Sequence, residues 1–185
     1  MSDKNWISFT ESDAAGIRNF DEIIPPGADY SDALKFSHAS GITVRVKRIV
    51  GGLEDVVDCN RFVSDCHVYA DLIEPRGLHI LTVKGGTDNF SISGDVGGHG
   101  RSCDLEKDMW SDQANSPSRN IRINLKTRDG SPITYRTWGG PDFIFENKNT
   151  QTYKCLFALP CVLRPFFIFG YGLAKKIALV FGKNI

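Results

Sequence analysis

Four segments of the chain share one pattern, a turn residue followed by alternating apolar and polar positions. They begin at Gly41, Cys66, Asn89 and Asn120, so the first two intervals are nearly equal and the last is wider. Strict alternation is the pattern of a strand with one buried face. Recurrence at a period of about 20–50 residues is typical of stacked structural repeats. The pattern therefore predicts short strands that lie on one another in register.

A second apolar strand follows three of these segments. The candidates are residues 54–58, 77–83 and 133–138. One coil of this length cannot bury its apolar face alone, but stacked coils place Ile42, Phe90 and Ile121 in one continuous column.

The predicted fold class is all-β, a short right-handed parallel β-helix (a β-solenoid) over residues 38–146. We expect Asn89 and Asn120 at equivalent corners, because asparagine tolerates the left-handed backbone of a tight turn. The alternative is a small antiparallel sandwich, whose strands also recur every 8–12 residues or so between turn signals.

The flanking segments are predicted to differ from this core. Residues 1–37 are polar and broken at Pro25-Pro26-Gly27, which indicates an extended N-terminal arm or cap with at most a short helix near 29–36. The wider spacing before Asn120 is interpreted as a lateral loop at 97–117, which holds Trp110. Residues 147–185 are interpreted as an apolar, partly helical C-terminal attachment segment.

One stretch carries a resemblance to a known superfamily. The run TVKGGTDNFSISG, residues 82–94, resembles a rung of the pectate-lyase-like right-handed parallel β-helices: strand, glycine corner, Asn, short strand and Gly. That superfamily includes polysaccharide lyases and hydrolases and many bacteriophage tailspike and virion proteins. The resemblance extends over about 100 residues and implies the fold. It carries over no catalytic residue, since no catalytic motif of the family matches, and this chain is much shorter than the family's enzymes.

The stretch 155–181 is nearly all apolar but is interrupted by two prolines and three basic residues. Its longest uncharged runs are nine residues (155–163) and ten residues (165–174). A membrane-spanning helix needs about 20 apolar residues, and Arg164 would fall inside the span. The pattern therefore disfavours a transmembrane helix.

Two interpretations of this stretch remain. It either caps the open end of the solenoid, or residues 166–182 form an amphipathic helix that docks on a partner chain or a lipid surface. So much aromatic surface would be poorly soluble on a free monomer, which favours an assembly contact. The residues predicted to make it are Leu163, Phe166, Phe167, Phe169, Tyr171, Leu173, Ile177 and Val180.

Charge and cysteine content indicate which partners and which cellular compartment to expect. The 22 basic residues balance the 22 acidic ones, so no net charge draws the chain to nucleic acid. Five cysteines cannot all pair within one chain, and none of their spacings suits zinc, so we expect reduced, buried thiols. No signal peptide is recognisable at the N-terminus. The predicted location is a virion, or the cytoplasm if the protein is not viral.

The chemistry-bearing residues do not form a recognisable catalytic set. An acidic cluster in the loop could serve a glycosidase, or a metal-assisted lyase with Lys84 or Arg101 as base. His99 with Cys103 and Asp104 could bind a metal, but none of these arrangements has motif spacing. We therefore predict no catalytic, cofactor-binding or metal-binding residue. The acidic residues considered are Asp95, Asp104, Glu106, Asp108 and Asp112.

Three functions follow as hypotheses. The first is a non-enzymatic structural component of a virion or similar assembly, attached through its termini to other copies or to other structural proteins. The second is a carbohydrate-binding or carbohydrate-cleaving β-helix in which Trp110 contacts the glycan. The third is a membrane-surface protein held by its C-terminal segment.

Overall fold

The computed structural model describes residues 2–4, 6–25, 32–77, 79–97, 102–105, 118–137, 143–145 and 150–154. Every regular element in these ranges is a β-strand, and the strands alternate between two parallel sheets. The odd sheet contains β1 (Ser2–Lys4), β3 (Gly16–Ile23), β5 (Ile42–Val50), β7 (His67–Glu74), β9 (Ser91–Val96), β11 (Ile121–Thr127) and β13 (Phe143–Phe145). The even sheet contains β2 (Ile7–Phe9), β4 (Asp32–Phe36), β6 (Asp55–Cys59), β8 (His79–Val83), β10 (Ser102–Leu105), β12 (Ile133–Thr137) and β14 (Thr150–Lys154).

The strand pairing confirms the β-solenoid. Strands β3 and β5, β5 and β7, and β7 and β9 pair in parallel in the odd sheet. Strands β4 and β6, and β6 and β8, do so in the even sheet. Because consecutive strands belong to opposite sheets, each coil contributes one strand to each sheet. The antiparallel sandwich is therefore wrong.

The coils repeat more regularly than the sequence pattern indicated. In the odd sheet Thr43 pairs with His67 and His67 with Ser91, at two equal intervals along the chain. Ser91 then pairs with Arg122 across the longer interval that contains β10. The predicted start at Cys66 is wrong by one position, because the equivalent of Gly41 is the preceding Asp65. Alternation alone does not distinguish the corner from the first strand residue.

The corner before β5, β7, β9 and β11 has left-handed backbone, as predicted for Asn89 and Asn120. Both have φ of +53°, and the equivalent Gly41 and Asp65 have +69° and +52°. The Asn89 side chain donates from Nδ2 to Asp65 Oδ1 at 2.7 Å, and Asn120 Nδ2 donates to Asp88 Oδ1 at 2.9 Å. These bonds join neighbouring coils at the point where the chain turns.

The core lies between the two sheets. The predicted column of Ile42, Phe90 and Ile121 is fully buried after the corner, and Cys66 occupies the equivalent position in its coil. Phe36 of the even sheet meets Phe90 edge-on, with ring centroids 5.9 Å apart. Such aromatic pairs add about 0.5–1.5 kcal/mol to the burial of their area.

The described parts of the flanks belong to the solenoid. Within the predicted arm, β1 to β4 pair into both sheets, and the helix suggested near 29–36 is wrong because Asp32–Phe36 is strand β4. Within the predicted lateral loop 97–117, residues 102–105 are β10, which pairs with β8 and β12. Strand β14 likewise extends the even sheet into the predicted attachment segment. Polar composition hid these strands, since their outward positions carry Asp, Lys, Arg and Asn.

The left-handed corner gives a stability prediction. We expect Asn89→Ala to lower the free energy of unfolding by about 1–2 kcal/mol, because alanine in this backbone region is strained. Asn89→Gly should cost less than half of that, since glycine adopts the conformation freely. Urea unfolding followed by circular dichroism measures both. Asn19→Ala on the exposed side of β3 is the control and should change stability by less than about 0.5 kcal/mol. Equal losses for Asn89→Ala and Asn89→Gly would contradict a strained corner.

Candidate functional site

The outward face of the odd sheet is an open polar surface with an aromatic at its centre. Asn19, Arg45 and Tyr69 follow one another on β3, β5 and β7, directly opposite in register. The column continues through Ser93 and Asn124 on β9 and β11. Arg45, Tyr69 and Asn124 point outward because the strand residues on either side of them are in the core. Asn19 and Ser93 belong to the same column by register.

Arg45 and Tyr69 form the centre of this face. The Arg45 guanidinium carbon lies 5.8 Å from the centroid of the Tyr69 ring, within cation–π range. Tyr69 is 44% exposed despite its size. A shallow depression of about 440 Å³ opens beside the pair and is lined by Asn19, Phe20, Arg45, Val46, Lys47, Tyr69 and Asp71. It offers donors, acceptors and an aromatic face to a polar ligand.

Ion pairs that cross from coil to coil flank the depression. Lys47 Nζ lies 2.8 Å from Asp21 Oδ1, and this hydrogen bond lowers the pKa of Asp21. Arg48 bridges two coils at once, pairing through Nη1 with Glu22 and through Nε with Glu74. These pairs are exposed to solvent, where an ion pair adds little to stability. Because the partners lie on neighbouring coils, the main effect of these pairs is to favour one register between the strands.

A second cluster lies on the even sheet and is centred on a buried carboxylate. Lys35, Asp58 and Thr82 are directly opposite one another on β4, β6 and β8. Asp58 is 1% exposed, and its two carboxylate oxygens each lie 3.1 Å from a lysine Nζ, Oδ2 from Lys35 and Oδ1 from Lys84. Asp32 also pairs with Lys35, at 3.4 Å. We call these five residues, with Asp55, the buried charge cluster.

Asp55 enters the cluster because the side-chain alternation of β6 breaks. Val56 and Val57 are both in the core, so Asp55 and Asp58 emerge on the same face. Thr82 Oγ1 donates to Asp55 Oδ1 at 2.9 Å. Burial raises the pKa of Asp55 to about 8, partly offset by the Thr82 bond and reinforced by repulsion from Asp58. Asp55 is therefore a neutral acid at pH 7.

The same surroundings also shift the pKa values of Lys35 and Asp32. Burial lowers the pKa of Lys35, but attraction to Asp58 and Asp32 outweighs it, so the net pKa is raised and the side chain stays charged. Burial and the nearby Asp58 raise the pKa of Asp32. Titratable groups with shifted pKa values occur both at functional sites and in structural ion-pair networks. Here the Asp58 carboxylate is closed to an external substrate, which favours a role inside the protein.

Few of the predicted site residues can be located. Trp110, His99 and the eight apolar residues of the predicted assembly contact lie outside the described residues. Asp95 is exposed on β9. Lys84, considered as a catalytic base, forms an ion pair with Asp58. Among the described residues, no group of three or more His, Cys, Asp and Glu side chains could hold a metal ion. The histidine–cysteine metal hypothesis stays a hypothesis, because His99 lies outside the described residues.

The cysteine prediction is confirmed where it can be checked. Cys59, Cys66 and Cys103 are free and buried. Burial raises the pKa of the Cys59 thiol well above its ordinary value, which makes it a poor nucleophile. These thiols are core residues.

Sequence reasoning missed both polar clusters. Arg45 and Tyr69 belong to segments interpreted as strands, but only the register between successive coils places them in contact. The buried charge cluster was harder to find, because Asp55 and Asp58 are three positions apart and strict alternation would place them on opposite faces of the strand. The one partner next to a predicted even strand was Lys84, which directly follows residues 77–83.

Comparison with known proteins adds no identity: no family model, no curated protein and no solved structure matches this chain. In the part of the chain that the structure covers, no helix is long and apolar enough to cross a membrane.

The raised pKa of Asp55 predicts a pH-dependent stability. The unfolded chain releases this proton near the ordinary pKa of 3.8, whereas the folded protein holds it to about pH 8. Stability from this group is therefore complete below pH 4 or so and is lost as the pH rises to about 8, by a few kcal/mol in order of magnitude. Asp32 contributes with the same sign.

The test compares the urea midpoint of wild type and Asp55→Asn from pH 4 to pH 9. Asparagine keeps a neutral acceptor for Thr82, so the variant should lose much less stability than wild type as the pH rises. Asp71→Asn, on the exposed side of β7, is the matched control and should follow wild type. Parallel profiles for wild type and Asp55→Asn would contradict the protonated Asp55.

Proposed function

We propose that this protein is a non-enzymatic structural module of a larger assembly, in which the solenoid acts as a stiff spacer. The observation that carries the proposal is the in-register stack, in which each coil is joined to the next through both sheets and through its corner. Lateral contacts of this kind resist bending, because every coil would have to break several hydrogen bonds together. A virion is the concrete setting that the superfamily resemblance implies.

The cross-coil contacts support a stiff module. Strands β3, β5, β7 and β9 pair over most of their length. Ser64 Oγ donates to Ser40 Oγ at 2.9 Å at one corner, in addition to the Asn89 and Asn120 bonds. Arg48 and the buried Asp58 each contact charged groups from two neighbouring coils. The stack is thus fastened on both sheets and at its turns.

Attachment is proposed for the C-terminal segment on the grounds of composition. Residues 147–185 contain six basic residues and no acidic one, alongside the aromatic run that includes Phe166, Phe167 and Phe169. Residues 1–38 contain seven acidic residues against three basic ones. Opposite charge at the two ends of the sequence would orient one subunit against another.

Light scattering on the purified full-length chain tests the assembly proposal. Wild type should be multimeric, and Phe166→Ser with Phe169→Ser should shift the population toward monomer. Each buried phenylalanine contributes about 1.5–3 kcal/mol, so the dissociation constant should rise by at least about 100-fold. Ile17→Ser, at a residue that is 56% exposed on β3, is the control and should leave the molar mass unchanged. A monodisperse wild-type monomer would rule the proposal out.

A second candidate function is glycan binding on the odd sheet. It is favoured by the Arg45–Tyr69 pair and the open depression beside it. Aromatic faces stack on the apolar faces of sugars, while Arg, Asn and Asp side chains bond to hydroxyl groups. The sequence-based version of this hypothesis placed the contact at Trp110, and the described geometry supplies Tyr69.

A glycan array with wild type and single variants distinguishes these positions. If the face binds glycan, Tyr69→Ala should weaken binding by about tenfold or more, and Tyr69→Phe should retain it. Leu53→Ser, at an exposed residue outside the lining of the depression, serves as control. Absence of binding by wild type, or loss with Trp110→Ala alone, would remove the face as a glycan site.

A further inference from the structure

The buried charge cluster joins three successive coils through one carboxylate. Asp58 lies on β6, Lys35 is opposite it on β4, and Lys84 follows β8 on the other side. Both carboxylate oxygens of Asp58 are inaccessible to solvent, and neither accepts a hydrogen bond of acceptable geometry. The two ammonium groups at 3.1 Å are thus close to the carboxylate but poorly aligned with its hydrogen-bonding directions.

A lysine held against an aspartate that water does not reach supplies the reactants for an amide bond. In water the ion pair is far more stable than amine and acid, but here the carboxylate is 1% exposed and the Lys84 side chain 32% exposed. Burial of the carboxylate penalises the ion pair relative to a neutral amide at the same place. Close, fixed approach of the two groups supplies much of the remaining activation free energy. We propose that Lys84 and Asp58 form an intramolecular isopeptide bond between Nζ and Cγ, which links the coil of β6 covalently to the coil of β8.

The neighbouring side chains fit the requirements of this reaction. Lys35 Nζ lies 3.1 Å from Asp58 Oδ2, where it stabilises the negative charge that develops on this oxygen during attack. Asp55, held by Thr82 beside Asp58, is a neutral acid and can relay a proton. Neither group is consumed.

The atoms and charges balance without an additional reactant. The Lys84 ammonium transfers a proton to the Asp58 carboxylate, and the resulting amine attacks Cγ. The Nζ–Cγ bond forms and the Cγ–Oδ1 bond breaks. Oδ1 leaves as water with two protons that came from the Lys84 nitrogen, one directly and one through Asp55. The product is one neutral amide, and Oδ2 remains as its carbonyl oxygen.

Lys84 is the nucleophile rather than Lys35 because of their other partners. Lys35 is shared between Asp58 and Asp32, and these carboxylates hold it in the charged form. The only ion-pair partner of Lys84 among the described residues is Asp58. Lys84 is also anchored close by, since its backbone nitrogen donates to the carbonyl of Cys59 at 2.8 Å.

Intact-mass spectrometry of the purified full-length chain is the direct test. Wild type should be lighter than its sequence mass by one water molecule, and proteolysis should release a branched peptide that joins the Asp58 and Lys84 fragments. Lys84→Arg and Asp58→Ala should restore the full mass. Asp58→Asn should still cross-link but lose ammonia in place of water, and Asp55→Asn should lower the cross-linked fraction several-fold.

Two results would overturn the proposal. One is folded wild type, shown by its β-type circular dichroism, at full sequence mass and with no branched peptide. The other is a water loss that persists in Lys84→Arg, which would indicate a succinimide at Asp58 instead of the cross-link. Neither result depends on the oligomeric state, so the cross-link and the assembly proposal succeed or fail separately.

Discussion

The structure depends on one constraint, the in-register parallel stacking of successive coils. Each side chain meets its equivalents in the coils above and below at a separation of about 4.8 Å. Each column of stacked side chains must therefore be stable with similar residues packed against one another at this short separation. Apolar columns do so by simple packing, as Ile42, Cys66, Phe90 and Ile121 show. The corner column does so with residues that accept left-handed backbone, because a single strained corner would be repeated in every coil.

Charged columns meet the same constraint through alternation of sign. On the odd sheet Lys47 lies between Asp21 and Asp71, and on the even sheet Asp58 is held between lysines from neighbouring coils. A shift of one position in any strand would turn these charges into the core and expose apolar side chains. The ion pairs thus specify register even where they add little stability. Where alternation fails, as between Asp55 and Asp58, burial and repulsion leave one carboxyl protonated.

The sequence predicted those features that alternation and periodicity encode. The solenoid, the even strands near 54–58, 77–83 and 133–138, and the corners at Asn89 and Asn120 all follow from local pattern. Strands β3 and β4 were missed because their outward residues are polar and their stacking partners are distant in sequence. The polar clusters were missed for a related reason: a cluster formed across coils exists only after the register is known. A shift of one full coil brings Arg45 to Tyr69, and no spacing within either segment reveals it.

An open point about the buried charge cluster is what the charged Asp58 contributes to the protein that an apolar residue at the same position would not. An apolar residue of similar volume at Asp58 would avoid the desolvation of the carboxylate, and apolar replacement of buried charges is often neutral or stabilising. The outward positions of a solenoid strand also impose no demand for a buried carboxylate. Alternation of sign accounts for a lysine on each side of Asp58, but it does not require a protonated acid beside that carboxylate. That combination is explained by chemistry between the groups, since a nucleophile, an electrophile and a proton relay are then brought together in the stack.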